Sequence, residues 1–153
     1  MAKSVFKVNQ SLAEAADIAI REVLAVKKGE HVLIITNPAG DVYKISEALY
    51  AACIKAKAAP SMIVQPKKTT FEDAEPAVIN AIKSEPDVII SISAERLGKD
   101  SEALAKPYKG LDGKPYNHII GQLIQGLKKA RSFWSPTVTV DMFVRTVPVD
   151  YAA

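Results

Sequence analysis

The sequence predicts a Rossmann-like three-layer α/β domain, with a parallel sheet of about four strands and helices on both faces. Two observations carry this. First, His31–Thr36 (HVLIIT) and Val88–Ile92 (VIISI) are runs of consecutive apolar, mostly β-branched residues. Such runs need cover on both faces of a sheet. Second, segments of helical periodicity separate the strand-like runs, and strands that alternate with helices pair in parallel. At 153 residues, the chain has the size of one domain and enough length to bury a core, so residues 1–153 are read as a single unit.

Taken in order, the first helix is expected over residues 12–28. Leu12, Ala16, Ala19, Val23 and Val26 recur at i, i+4, i+7, i+11 and i+14, which makes one apolar stripe. Ser11 followed by Glu14 is a capping-box pattern. Asp17 and Arg21 stand four apart on the polar side, and Gly29 after Lys27 and Lys28 supplies a stop. His31–Thr36 is the first strand. Asn37-Pro38-Ala39-Gly40-Asp41 turns the chain, with Asp41 the expected N-cap of a helix that carries Ile45, Leu49, Ala52, Cys53 and Ala56 on one face and ends before Pro60.

Residues 61–65 (SMIVQ) read as the second strand, closed by Pro66. Pro76 suits the first position of a helix over residues 77–83, with Val78, Ile79 and Ile82 inward. Residues 87–93 (DVIISIS) form the third strand. The pattern loosens over residues 95–117, where residues 108–116 carry two glycines and a proline. Ile120, Leu123, Ile124 and Leu127 then make a helical face, Arg131–Trp134 is a short fourth strand, and Thr139 caps a final helix through Met142 and Phe143. A strand order of 2-1-3-4 or 3-2-1-4 would fit; 2-1-3-4 is preferred, with the first and third strands central.

Apolar residues make up 48% and charged residues 24% of the chain, a mix that sets aside disordered, collagen-like and disulfide-stapled classes. A net charge of +3 is too small to argue for nucleic acid. The short clusters Lys67-Lys68 and Lys128-Lys129 with Arg131 lack interleaved aromatics, so no nucleic-acid partner is expected. No apolar run approaches the roughly 20 residues of a membrane helix. Residues 1–10 hold Lys3 and Lys7 without an apolar leader core, and Cys53 is the one cysteine. These features lead to the expectation of a cytoplasmic protein with a reduced, buried thiol and no membrane partner.

Chemistry-bearing patterns are sparse. A metal site needs about three or four converging ligands, but His31 and His118 lie in no metal-ligand spacing, so no metal ligand is assigned. No G-x-S-x-G elbow is present. Ser91 and Ser93 near a strand end read as capping polar groups. Gly121 and Gly126 have P-loop spacing, but Leu127 stands where the lysine belongs. No catalytic residue is assigned. The candidates that remain are for a ligand cleft at the C-terminal ends of the strands, where open α/β sheets bind small molecules: Asn37, Gly40, Asp41, Ser93, Arg96, Ser135 and Thr139.

Several segments together resemble the opening domain of the aminopeptidase T family of metallopeptidases. They are a long helix, the turn Lys27-Lys28-Gly29-Glu30 and a buried strand, and then Lys57-Ala58-Ala59-Pro60 and Asp87-Val88-Ile89-Ile90. Near the end come Ala130-Arg131 with Pro136, Thr139, Met142-Phe143 and Val149-Asp150-Tyr151, which resemble the family's A-R-x-x-x-x-P…T-x-x-M-F…V-D-Y signature. The likeness spans all but residues 95–117. It implies a non-catalytic N-terminal domain of a metal-dependent aminopeptidase, a hydrolase, that shapes a cleft or subunit interface. The family's zinc or cobalt ligands belong to a C-terminal domain, and no position here matches them. The chain alone is therefore expected to be inactive and to hold no cofactor, with that catalytic domain or another copy of itself as partner. The alternative is a stand-alone α/β domain that binds a peptide or small molecule at its strand ends. Phe133, Trp134, Met142, Phe143 and Val147 are candidates for a docking face, or else for this domain's own core.

Overall fold

The computed structural model describes residues 10–38 and 40–148. Among them, four strands form a parallel sheet in the order β2-β1-β3-β6. These are β1 (His31–Thr36), β2 (Ala59–Val64), β3 (Val88–Ile92) and β6 (Arg131–Trp134). The order is the expected 2-1-3-4. Register follows from it: β1 sets Leu33 opposite Ser61 and Ile89, and β3 sets Ile89 opposite Ser132 and Ser91 opposite Trp134. A two-stranded antiparallel hairpin, β4 (Tyr108–Lys109) with β5 (Pro115–Tyr116), occupies the turn-rich stretch.

The helices divide between the two faces. α1 (Gln10–Ile18), α2 (Gly40–Lys55) and α6 (Val140–Thr146) cover one face, over Val32, Ile34, Val88, Ile90 and Ile92. α3 (Pro76–Lys83) and α5 (Ile119–Gly121) cover the other, over Leu33, Ile35 and Ile89. A short α4 (Ser101–Ala105) precedes the hairpin. The central strands are buried on both faces, which is why their sequences are continuous apolar runs rather than alternating ones.

Several boundaries differ from the sequence reading. The first helix gives way to a π-helical turn at Ala19–Val23 and stops there, well before Gly29. The Leu24 N–H donates to Ala19 O and that of Val26 to Ile20 O, and Ala25 takes φ +48°. This closes the helix in the manner of a Schellman end without a glycine. Val26 continues the apolar period but packs from the loop, so periodicity alone overran the end. The α5 helix closes alike, through a π-helical turn at Gln122–Gly126 and Lys128 at φ +53°. Asp17 pairs with Lys55 Nζ at 2.7 Å rather than with Arg21.

Asp41 is not the N-cap of α2: Gly40 already opens that helix. Its carboxylate serves α6 instead, as described below. Pro60 lies inside β2, which begins at Ala59; as an edge strand, β2 tolerates the missing N–H. Within the expected docking face, Phe143 and Val147 are buried and Phe133 meets Phe143 edge-on, with centroids 6.3 Å apart, so these three belong to the domain's own core. Trp134 and Met142 are exposed. The motif at Val149, Asp150 and Tyr151 lies outside the described residues, as does Ala39. No helix among those described is long and apolar enough to cross a membrane.

Candidate functional site

Most of the strand-end candidates hold backbone in place. Asn37 is buried where β1 ends, at the point where the sheet's winding reverses between β2 and β3. Its Nδ2 donates to Gln65 O at 2.9 Å and its Oδ1 accepts from Ala94 N at 2.6 Å. One side chain thus ties together the exits of β1, β2 and β3. Gln65, also buried, extends the tie: its Nε2 donates to Leu97 O at 2.7 Å and its Oε1 accepts from Glu75 N at 3.0 Å. Asp41 Oδ2 accepts from Val140 N at 2.9 Å and Thr139 Oγ1 from Met142 N at 3.1 Å, so two side chains satisfy the first turn of α6.

Ser93 is buried, and its carbonyl accepts from Thr137 N at 2.8 Å. Ser135 N donates to Ser91 O at 3.1 Å, continuing the β3–β6 ladder. Gly40 takes φ +54° with open space around it. Six of the seven candidates therefore gather where β1, β3 and β6 hand over to α2 and α6. Arg96 stands apart from them, in the loop after β3.

Arg96 lines a cleft of about 510 Å³ on the α3/α5 side of the sheet. The sequence reading missed most of this site. Ile89 packs toward α3 and α5, so its partner Ser132 and the next pair, Ser91 and Trp134, present their side chains on the same face. They form the floor. Ile120, Gly121, Ile124 and Gln125 make one wall, and Leu97, Gly98, Lys99, Asp100 and Leu104 the other. Gly98 is what allows the second wall to approach. It takes φ +106°, and a Cβ there would meet Ala74 N at 2.4 Å. The signal available in the sequence was the expected pairing of the third and fourth strands, which sets Ser91 beside Trp134. The walls come from residues 95–125, where the periodicity was weakest.

The carboxylate and the imidazole of the cleft are already engaged by backbone groups. Asp100 is buried; its Oδ1 accepts from Ala103 N at 3.2 Å and its Oδ2 from Ile119 N at 2.9 Å, serving the first turns of α4 and α5. His118 Nδ1 accepts from Ile120 N at 3.2 Å, which leaves Nε2 as the donor to Gly98 O at 2.9 Å. Among the described residues, no three His, Cys, Asp or Glu converge in a way that could hold a metal ion.

Elsewhere, Arg131 grips Glu30 with two hydrogen bonds, of 3.0 and 2.7 Å, and its Nε donates to Leu24 O at 3.0 Å. The guanidinium holds the Glu30 carboxyl below its ordinary value. Burial pushes the Cys53 thiol up to about 12. Burial also raises the Tyr108 phenol, whose hydroxyl has no hydrogen-bond partner among the described residues.

No family model matches the chain, and no curated protein does. Solved structures resemble it weakly. Ureidoglycine–glyoxylate aminotransferase from Bacillus subtilis has a TM-score of 0.43 at 17% identity, over 88% of this chain and 30% of that one. AmpT from Thermus thermophilus has a TM-score of 0.46 at 13% identity, over 90% of this chain and 41% of that one. 2,5-Dihydroxypyridine dioxygenase from Pseudomonas putida has a TM-score of 0.39 at 13% identity, over 66% of this chain and 38% of that one. The chain thus spans less than half the length of each. At these identities and TM-scores, the likeness assigns this chain neither a family nor a function.

Proposed function

We propose that this chain is a non-catalytic N-terminal α/β domain of an aminopeptidase T-like metallopeptidase, and that it shapes a cleft or subunit interface for a catalytic domain. The reading rests on what the residues bearing the sequence resemblance do. Glu30, from the Lys27-Lys28-Gly29-Glu30 turn, and Arg131, from the Ala130-Arg131 motif, are 101 positions apart yet form one two-pronged pair. Thr139 caps α6, and Phe143 is buried against Phe133. These positions build a scaffold and leave the chemistry to another domain.

The described residues do not fit a zinc or cobalt site. Both nitrogens of His118 and both carboxylate oxygens of Asp100 are committed to backbone, and the Cys53 thiol is buried in the core. The test is metal analysis of the dialysed chain together with an aminopeptidase assay supplemented with zinc and cobalt. Neither stoichiometric metal nor turnover is expected; turnover that tracks bound metal would overturn the reading. The gene supplies a second check. An open frame continuing past Ala153 for roughly 200 residues, about one further domain, with histidine and acidic clusters would support it. A stop codon at that point would sink it.

A further inference from the structure

We propose that the cleft between the α5 wall and the β3–β6 floor binds a small monocarboxylate with a branched or aromatic body. This needs no second domain and stands independently of the metallopeptidase reading. The cleft, at about 510 Å³, falls in the size range of small-molecule sites. Leu97, Ile120, Ile124 and Trp134 offer apolar surface that a ligand body would remove from water. Trp134 is 65% exposed, a large aromatic that the fold itself leaves uncovered.

The charge pattern selects the head group. Cations around the cleft are mostly paired within the chain: Lys67 with Glu95, Lys68 with Glu75 and Lys83 with Glu102. Arg96, which lines the cleft, has no side-chain ion-pair or hydrogen-bond partner among the described residues. Lys99, also in the wall, is held only loosely, with Nζ 3.9 Å from Asp73. A guanidinium with a free planar fork is matched by a carboxylate. One negative charge is the limit, because Asp100 lies in the same wall and would repel a dianion. Its oxygens already accept two backbone N–H groups, so it offers an incoming ammonium little.

Trp134 is the only tryptophan in the chain, so its fluorescence reports on the cleft directly. The probes are 3-phenylpropanoate and 4-methylpentanoate, with 3-phenylpropanol (ring without charge) and acetate (charge without body) as controls, titrated into the full chain. Both larger carboxylates should give saturable changes, and both controls should bind more weakly. Arg96→Met, at an exposed position and keeping the apolar stem, should weaken 3-phenylpropanoate by about tenfold or more while leaving 3-phenylpropanol unchanged. An unchanged thermal midpoint would show that the variant is folded. The proposal is overturned if neither larger carboxylate gives a saturable change, if either control binds as tightly as they do, or if folded Arg96→Met binds 3-phenylpropanoate like the parent.

Discussion

On one face of the sheet, α1, α2 and α6 close over Val32, Ile34, Val88, Ile90 and Ile92 and leave these side chains fully buried or nearly so. On the other, α3 and α5 cover Leu33, Ile35 and Ile89 but stop short of β6, and Ser132 and Trp134 become the floor of a cleft. The same edge strand shows both outcomes. Phe133 turns to the first face and packs on Phe143, while its neighbour Trp134 turns to the second and meets open space. The closed face owes its completeness to α6, a helix of seven residues, about two turns: Asp41 and Thr139 accept from two of its first N–H groups and bring Phe143 down onto the sheet. Among the described residues, no such helix reaches the far end of the other face. The cleft thus lies where this face is left uncovered, while at the strand ends Asn37 and Gln65 tie the exits together with hydrogen bonds.

The largest test of that contrast is truncation of one isoleucine on each face. Ile90→Ala in the closed core should cost about 3–4 kcal/mol, and Ile120→Ala in the half-open cleft wall about 1 kcal/mol, in urea unfolding. Equal losses would break the comparison. Two glycines sharpen it next. Gly98→Ala combines a left-handed backbone with a clash against Ala74 and should cost about 2–3 kcal/mol, while Gly40→Ala, with open space around it, should cost only the backbone strain of about 1 kcal/mol. The same unfolding curves separate the two.

A smaller effect concerns the Glu30–Arg131 clamp, which anchors β6. Because Arg131 lowers the Glu30 carboxyl, the pair's contribution is present above the ordinary value of 4.5 and is lost as pH falls through the lower folded value. Glu30→Gln should therefore cost at most about 1 kcal/mol at neutral pH, given the half-exposed guanidinium, and should flatten the loss of stability below pH 4.5. An unchanged acid slope would remove the clamp from the account. The smallest change to the molecule is chemical probing. Cys53, buried with its thiol raised to about 12, should resist a thiol reagent until denaturant is added. Trp134 should be quenched by acrylamide in the native state. Rapid native labelling of Cys53 would mean that the closed face opens.

Much of the fold was legible residue by residue. His31–Thr36 and Val88–Ile92 announce doubly covered strands, Pro76 marks the start of α3, and Thr139 caps α6 as its position suggests. Element ends were less legible. α1 closes on backbone bonds at Leu24 and Val26 with a non-glycine residue at positive φ, and no residue type signals that. The site was legible only in part. Strand-end position picked out Asn37, Asp41, Ser93, Ser135 and Thr139, yet a polar residue at a strand end reads the same whether it will hold a ligand or its own backbone. The cleft was illegible because its walls come from residues 95–125, held by Asp100, His118 and Gly98 through contacts with no short-range period.

By itself, the sequence determined the layer architecture and the parallel pairing, because apolar runs and helical stripes are local patterns that burial must satisfy; between the two strand orders that fitted, the tertiary structure decided. It also determined that the thiol is single and that the histidines are too far apart in sequence to signal a metal. Only the tertiary structure decided which polar side chains are committed and which stay open. That depends on partners distant along the chain: Glu30 finds Arg131, Asp41 finds Val140 and Asn37 finds Ala94. Arg96 and Lys99 were left facing a cleft for the same reason, since a charge is satisfied by whatever the fold places beside it, and sequence separation says nothing of that distance.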